Sequence, residues 1–582
     1  MQASTGADAI GGSTASGGAQ GAPGTGGPLA PLLAGGLEAP RARAAVVALI
    51  TLAWLALGLF ELLRSGAAHD ILEYDDGVWF GSSLRLVQGA IPYRDFVLDQ
   101  PPGVPLLLTP IALTSKAIGT SGAFVAARYL TVVVEAFNVA LVGWLLRHRS
   151  LFAVAVGCSL AAFYPSAVIT SRTVMIEPYC ALFCLGALAV VFREGRLARE
   201  RRSIMVAGIL FGIAGSCKAF ALFPFVVLLG QLCIGGEKGD RASGTRLAAM
   251  CAGAAGATFA IICSPFFIAA PSGFVRQVVV AQLQRGTSAM ADKWDRAAQL
   301  LGVPPAPSGG RLPNTTDMAV IVIAGFVVIA ALAAAWWPTR PSEGPARLSL
   351  ARYSVACTLA TAAGLVWPAA FYYHYPAFLG PFAALAIAMG AERAWGFGPS
   401  TRAPSAAPPG TAPESGEQLP IAGFWRPWSA ATIAFALLVA GTVHGVRVVQ
   451  TVAQPERPQS ALVERAVPPG ACTTSDNPAF LILADRFTAP PTCTDLVDAY
   501  GSTLSWAHGA SGPAAARRPA AVAAWTNVLR HTDYLVISLG LKPGRVPWGP
   551  VLRSYLAHHF RLVARGPGVS VYARRPTTKA HG

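Results

Sequence analysis

The feature that most constrains this chain is a succession of apolar runs separated by polar or basic segments. They begin at Ala44–Leu63 and recur at Ala123–Leu146, Leu151–Thr170, Tyr179–Phe192, Ile204–Ile234, Leu247–Ala269, Met318–Trp337, Leu350–Phe371 and Pro376–Met389. A hydrocarbon core about 30 Å thick is spanned by about 20 helical residues, whose backbone polar groups are all satisfied within the helix. Only 13% of the 582 residues are charged, about half the share of roughly 25% in a soluble domain. The chain is therefore read as an integral membrane protein built of α-helices.

A formal net charge of +16 would raise nucleic acid as a partner for a soluble protein. Here Lys and Arg cluster largely at the ends of apolar runs, as the positive-inside rule requires. No basic stripe interleaved with aromatics falls on a soluble segment, so no nucleic-acid partner is expected.

Charge placement also sets the topology. With the N-terminus in the cytoplasm, Arg41 and Arg43 lie inside and Ala44–Leu63 crosses outward. Val104–Ile118 contains Pro105, Pro110 and Lys116 and is shorter than the about 20 residues of a full crossing. Keeping it in the outer interface puts Arg147, His148 and Arg149 in the cytoplasm, and every later basic loop falls inside too. Ile204–Ile234 must then be two short helices turning near Lys218, and a last helix, Trp428–Val443, carries the chain out again. About eleven transmembrane helices result, in a multi-pass protein of the plasma membrane.

Residues 1–42 are poor in side chains that can be buried and read as a disordered cytoplasmic N-terminus. Residues 43–446 form the transmembrane domain. Within it, 65–122 is a first outer loop with interfacial helices, 270–316 a second outer loop, and 391–427 a Pro- and Ser-rich cytoplasmic linker. Residues 447–576 read as a small extracytoplasmic α/β domain, with strands at Tyr534–Leu539 and Val569–Tyr572 and a helix at Val551–Phe560. Residues 577–582 read as a disordered tail. All ten cysteines except Cys472 and Cys493 lie in apolar segments; the spacing of these two fits one disulfide in an oxidising compartment.

Against this background His69–Pro102 stands out, because charges at a membrane boundary are costly and mark function by default. It carries the adjacent carboxylates Asp75 and Asp76, then Arg94, Asp99 and Gln100. One of the aspartates is accounted for as a helix N-cap; the other is a candidate catalytic base for an acceptor hydroxyl. The topology brings Arg172, Glu177, Lys218, Tyr373 and His374 to the same outer side, together with Arg276 and Arg285 of the second outer loop. Plainer readings exist for several of these. Lys218 can snorkel to the interface, Arg172 and Glu177 can pair at a helix end, and tyrosines are expected in an interfacial belt. No Walker loop, dinucleotide fingerprint or Cys/His metal spacing occurs. No cofactor is expected beyond a divalent cation that the adjacent aspartates could hold.

A carboxylate pair in the first outer loop, then Pro92-Tyr93-Arg94-Asp95 and Gln100-Pro101-Pro102-Gly103 ahead of a short apolar segment, resembles the GT-C glycosyltransferases. These include protein O-mannosyltransferases, the aminoarabinose transferase of lipid A and actinobacterial arabinosyl- and mannosyltransferases. The resemblance covers about Ala44 to Met389. It implies transfer of a sugar from a polyprenyl-phosphate donor on the extracytoplasmic side, with inversion, to a glycan, lipid or protein hydroxyl. Asp75 or Asp76 matches the family's catalytic loop carboxylate. Ser171-Arg172-Thr173 through Glu177-Pro178 is similar to its acidic outer turn, and Gly212 to Lys218 to its Gly-rich helix ending in Lys. Gln100 stands where relatives carry a charged residue before a proline. The competing expectation is a transporter or lipid-linked-sugar flippase, which would place these polar groups at mid-bilayer on broken helices.

Overall fold

The computed structural model describes residues 40–234, 241–284, 293–303, 315–337, 349–367, 370–394, 443, 459–487, 493 and 496–576. The expected linker from residue 395 on, the helix Trp428–Val443 except Val443, candidate residue Arg285, residues 1–39 of the expected N-terminus and the tail 577–582 lie outside the described residues.

The chain is mainly helical. In order come α1 (Pro40–Leu63), α2 (Tyr74–Val87), α3 (Gly103–Leu113), α4 (Ser115–Leu146), α5 (Leu151–Phe163), α6 (Pro165–Ser171) and α7 (Glu177–Val191). A two-stranded hairpin, β1 (Phe192–Arg193) and β2 (Arg196–Leu197), leads into α8 (Arg201–Cys217), α9 (Leu222–Ile234) and α10 (Arg241–Ala269). Next are α11 (Lys293–Leu300), α12 (Thr315–Trp336), α13 (Leu350–Val366) and α14 (Pro376–Ala394). By length and composition α1, α4, α10 and α14 can each cross a bilayer, and α5 with α6 makes a further span bent by 54°.

The breaks have local causes. Pro165 has no amide to continue the α5 ladder, and Tyr164 before it is extended, so the span bends there. α3 has 11 residues and rises about 16 Å, half of a hydrocarbon core. Lys218 is extended (φ −158°, ψ 143°) and separates α8 from the turn that opens α9, where the sequence requires one. Near the start of α4, Gly119 takes φ 77° and ψ 165°, a region closed to other residues.

Residues 459–576 contain a four-stranded sheet in the order β3 (Thr473–Ser475), β4 (Tyr534–Ile537), β6 (Val569–Arg574), β5 (Phe560–Gly566). β3 runs parallel to β4, and the other pairings are antiparallel. Helices α15 (Ser460–Ala466), α16 (Pro478–Leu483), α17 (Ala499–Trp506), α18 (Pro519–Arg530) and α19 (Pro550–His559) accompany it. Trp525, Trp548, Leu535 and Leu552 are buried in a core of their own. Cys472 and Cys493 are joined in a disulfide.

This C-terminal unit sits directly on α2. A Cβ added at Gly77 would lie 2.6 Å from the backbone nitrogen of Ala479 on α16, so the two backbones meet where only glycine fits. The Arg85 guanidinium lies 4.2 Å from the centre of the Phe487 ring. Asp485 accepts from the Ser121 amide at 2.9 Å and the Thr120 hydroxyl at 3.0 Å, capping α4 after its break at Gly119.

Candidate active site

The site is built on the entry to α2. Glu73 caps the helix by accepting from the Tyr74 amide at 3.0 Å. From there four consecutive side chains reach three different parts of the molecule. Glu73 accepts from the Tyr373 hydroxyl, in the α13–α14 connection. Tyr74 donates its hydroxyl to Asp498 of the C-terminal unit at 2.7 Å. The Asp75 carboxylate lies 3.6 Å from Nε2 of His374. Asp76 meets Arg128 of α4 at 2.6 Å.

The adjacent aspartates are thus separated in role. Asp76 and Arg128 are both fully buried, and Arg128 also donates to the backbone carbonyls of Ala68 and Asp70 at 2.7 and 2.9 Å. Asp76 therefore ties the segment 68–76 to α4. Asp75 keeps 31% of its side-chain surface exposed, so it is the carboxylate that a substrate can reach. Glu73 is the N-cap, so neither aspartate takes the cap position expected of one of them. Among the described residues no group of three or more His, Cys, Asp or Glu side chains is arranged to hold a metal ion.

Behind Asp75 runs a line of buried polar groups. Nδ1 of His374 lies 2.8 Å from Oε1 of Glu177, and the same oxygen accepts from the Lys218 ammonium. His374, Glu177 and Lys218 are 4%, 0% and 3% exposed. Glu177 stands at the start of α7 ahead of Pro178, and Lys218 at the break between α8 and α9. Lys218 also lies 4.3 Å from the ring centres of Phe220 and Tyr375. The expected local pair of Arg172 with Glu177 does not form, because Glu177 is taken by Lys218 and His374.

Arg172 comes directly after α6 and is buried, and its Nε has no hydrogen-bond partner among the described residues. Glu61, Tyr373, Arg128 and Arg64 are its electrostatic neighbours. Burial, and then the negative charge of Asp75, push the Glu73 carboxyl above its ordinary range.

The remaining candidates are arranged around this centre. The Gln100 carbonyl accepts from the Tyr93 hydroxyl at 2.8 Å, and the Asp99 carbonyl accepts from the Gln282 side chain. Gln277 accepts from the Leu98 amide at 2.9 Å, and the rings of Tyr93 and Phe274 meet edge to face. The segment after α10 is thereby folded over residues 93–100. Arg276, on the π-helical turn Val275–Val280, points to the surface. Arg94 is exposed and donates to Asp95 at 2.8 and 2.9 Å, a local surface pair.

Sequence reasoning missed Glu73, Tyr74 and Arg128. Arg128 carried a visible signal, a charge inside an apolar helix. Glu73 and Tyr74 carried only their position beside the aspartates.

No protein-family model matches the chain, and no curated protein matches it in sequence. Solved structures do. ArnT from Cupriavidus metallidurans bound to undecaprenyl phosphate is 12% identical, with 92% of this chain and 98% of that chain covered at a TM-score of 0.55. The oligosaccharyltransferase of Archaeoglobus fulgidus in the apo form is 11% identical, with 86% and 70% covered at a TM-score of 0.51. The same enzyme in complex with Zn and sulfate is 13% identical, with 91% and 73% covered at 0.50. At these identities the likeness is one of fold, and this chain shares the fold of those structures.

Proposed function

We propose that this protein is an inverting glycosyltransferase, moving one hexose or pentose from a polyprenyl-phosphate donor to a hydroxyl of a glycan, lipid or protein acceptor. The observation that carries the reading is the line Asp75, His374, Glu177 and Lys218, with Asp75 accessible and the rest buried, and a buried Arg172 whose electrostatic neighbours include Tyr373 next to His374. In support, ArnT of the same fold is bound to undecaprenyl phosphate. We further propose eleven membrane crossings with this site and residues 459–576 on the extracytoplasmic face, a placement consistent with the Cys472–Cys493 disulfide.

The chemistry runs as one displacement. Asp75 takes the proton of the acceptor hydroxyl, and the acceptor oxygen bonds to the anomeric carbon from the face opposite the phosphate. The bond from that carbon to the phosphate oxygen breaks, and the polyprenyl phosphate leaves with the electron pair. His374, held from behind by Glu177, orients Asp75. Lys218 and Arg172 offset the charge that develops on the leaving phosphate. Lys218 is already paired with Glu177, so Arg172 is the cation assigned to the phosphate itself.

A panel of radiolabelled polyprenyl-phosphate sugars, incubated with the purified full chain and cell-envelope acceptors, tests this. Transfer should occur with one donor and fall about 100-fold or more in Asp75→Asn. Arg172→Ala should weaken binding of undecaprenyl phosphate about tenfold or more. A wild-type chain that transfers no sugar from any donor, or an Asp75→Asn variant with full activity, refutes the reading. Transport of a lipid-linked sugar without transfer would establish the flippase instead.

A further inference from the structure

The contact between Tyr74 and the C-terminal unit is unlike the others around α2. Asp498 caps α17 by accepting from the Gly501 amide at 2.8 Å, and the same oxygen accepts from the Tyr74 hydroxyl at 2.7 Å. The Tyr74 hydroxyl oxygen accepts in turn from the Tyr500 amide at 3.0 Å. Arg545 lies 4.0 Å from the centre of the Tyr74 ring. Its carbonyl accepts from Thr503 of α17 at 2.7 Å, and Thr503 accepts from the indole of Trp525 at 2.7 Å. Tyr74 is thus plugged into a socket whose walls are fastened to the core of the C-terminal unit. Tyr74 and Asp498 are 8% and 5% exposed.

The socket matters because Tyr74 and Asp75 are neighbours, the first and second residues of α2. A first helical turn has unsatisfied amides and frays unless it is tied down. Here Glu73 ties it to the α13–α14 connection, and Tyr74 ties it to the C-terminal unit. The direction of the Asp75 carboxylate relative to His374 is therefore set from both sides, one of them outside the transmembrane helices.

We propose that Tyr74 and Asp498 are positioning residues for Asp75, so that the C-terminal unit completes the active site through this hydrogen bond. The inference rests on the glycosyltransferase reading for its kinetic consequence and on geometry alone for its structural one. A displacement reaction loses rate steeply when the base is out of line, whereas donor binding at the cations does not depend on the first turn of α2.

The test uses the full chain in detergent or nanodiscs, with Tyr74→Phe, Asp498→Ala and Asp498→Asn. Tyr74→Phe removes one hydroxyl and leaves the α17 cap in place; Asp498→Asn keeps an acceptor oxygen for both Tyr74 and Gly501. Tyr74→Phe and Asp498→Ala should lower kcat tenfold or more with the donor KM within twofold, and Asp498→Asn should restore most of kcat. Hydrogen–deuterium exchange of residues 74–80 should quicken in Tyr74→Phe and Asp498→Ala while affinity for undecaprenyl phosphate stays within twofold. The exchange measurement needs no turnover, so it separates this inference from the glycosyltransferase reading. Unchanged exchange in Tyr74→Phe overturns the inference even in an active enzyme. Unchanged kcat in both Tyr74→Phe and Asp498→Ala overturns it too.

Discussion

Asp76 and Arg128 meet at 2.6 Å with both side chains fully buried, while Asp75, one residue earlier, stays open to the site. Breaking one partner of a buried ion pair leaves the other charge uncompensated, at a cost of about 3–5 kcal/mol. Asp76→Ala should therefore fail as a protein, with low yield and a lowered Tm in detergent. Asp75→Ala should match the wild type in both and fail only in sugar transfer. Equal Tm values for wild type and Asp76→Ala would show that the pair is not an anchor.

The division between the aspartates also shows how far the sequence can be read. Successive residues of a helix are about 100° apart around its axis, so two adjacent carboxylates at a helix start must face different surroundings. Which of them faces Arg128 depends on a partner 52 residues away. Periodicity carries no information about that. Lys218, Glu177 and His374 are conspicuous because a charged or titratable side chain in an apolar chain has few places to go. Charge parity brings them to one side, and their mutual contacts are a consequence of the fold. Arg94 is the counterexample, since its local partner Asp95 accounts for it without any site. The strands and the helix expected at residues 534–572 appear as β4, α19 and β6, because alternation and helix periodicity are local signals. The socket for Tyr74 joins residues 424 apart and has no local signature.

Glu177 carries two partners on one oxygen, so stability and activity should respond differently to its loss. Glu177→Gln leaves Lys218 buried without its anion and should lower stability by about 3–5 kcal/mol. Lys218→Met together with Glu177→Gln removes both charges and should recover most of that loss, because an apolar side chain of similar length fills the space. Sugar transfer should stay low in both. Thermal unfolding of the two variants, read beside transfer assays, checks this; a double variant no more stable than Glu177→Gln would disprove the pairing.

The Cys472–Cys493 disulfide closes the segment that carries α16 and Asp485, the elements resting on Gly77 and on the start of α4. A disulfide across a loop of this size contributes about 3 kcal/mol in the chain-entropy account. Cys472→Ser with Cys493→Ser should lower the unfolding temperature of the C-terminal unit and quicken exchange at residues 77–85 of α2. Quickened exchange confined to residues 473–487 would mean that the bond holds only its own loop.

Asp498 supplies the pH dependence. Burial first, and then the negative charges of Asp99 and Asp75, push its carboxyl up from 3.8 to about 7, against the opposing pull of the Gly501 amide and the Tyr74 hydroxyl. Arg545 lies 4.0 Å from the centre of the Tyr74 ring. A raised carboxyl pKa means that the folded protein holds a proton which the unfolded chain has already released between about pH 4 and about pH 7. Stability therefore falls as pH rises through that window and levels off above it. Asp498→Asn is neutral throughout and keeps the acceptor oxygen. It should match the wild type at about pH 4 and exceed it increasingly in Tm up to pH 8, flattening the profile between. Unfolding of the two proteins measured from pH 4 to pH 8 reads this directly, and a variant less stable than wild type at pH 8 would show that the ionised carboxylate is the favoured form in the fold.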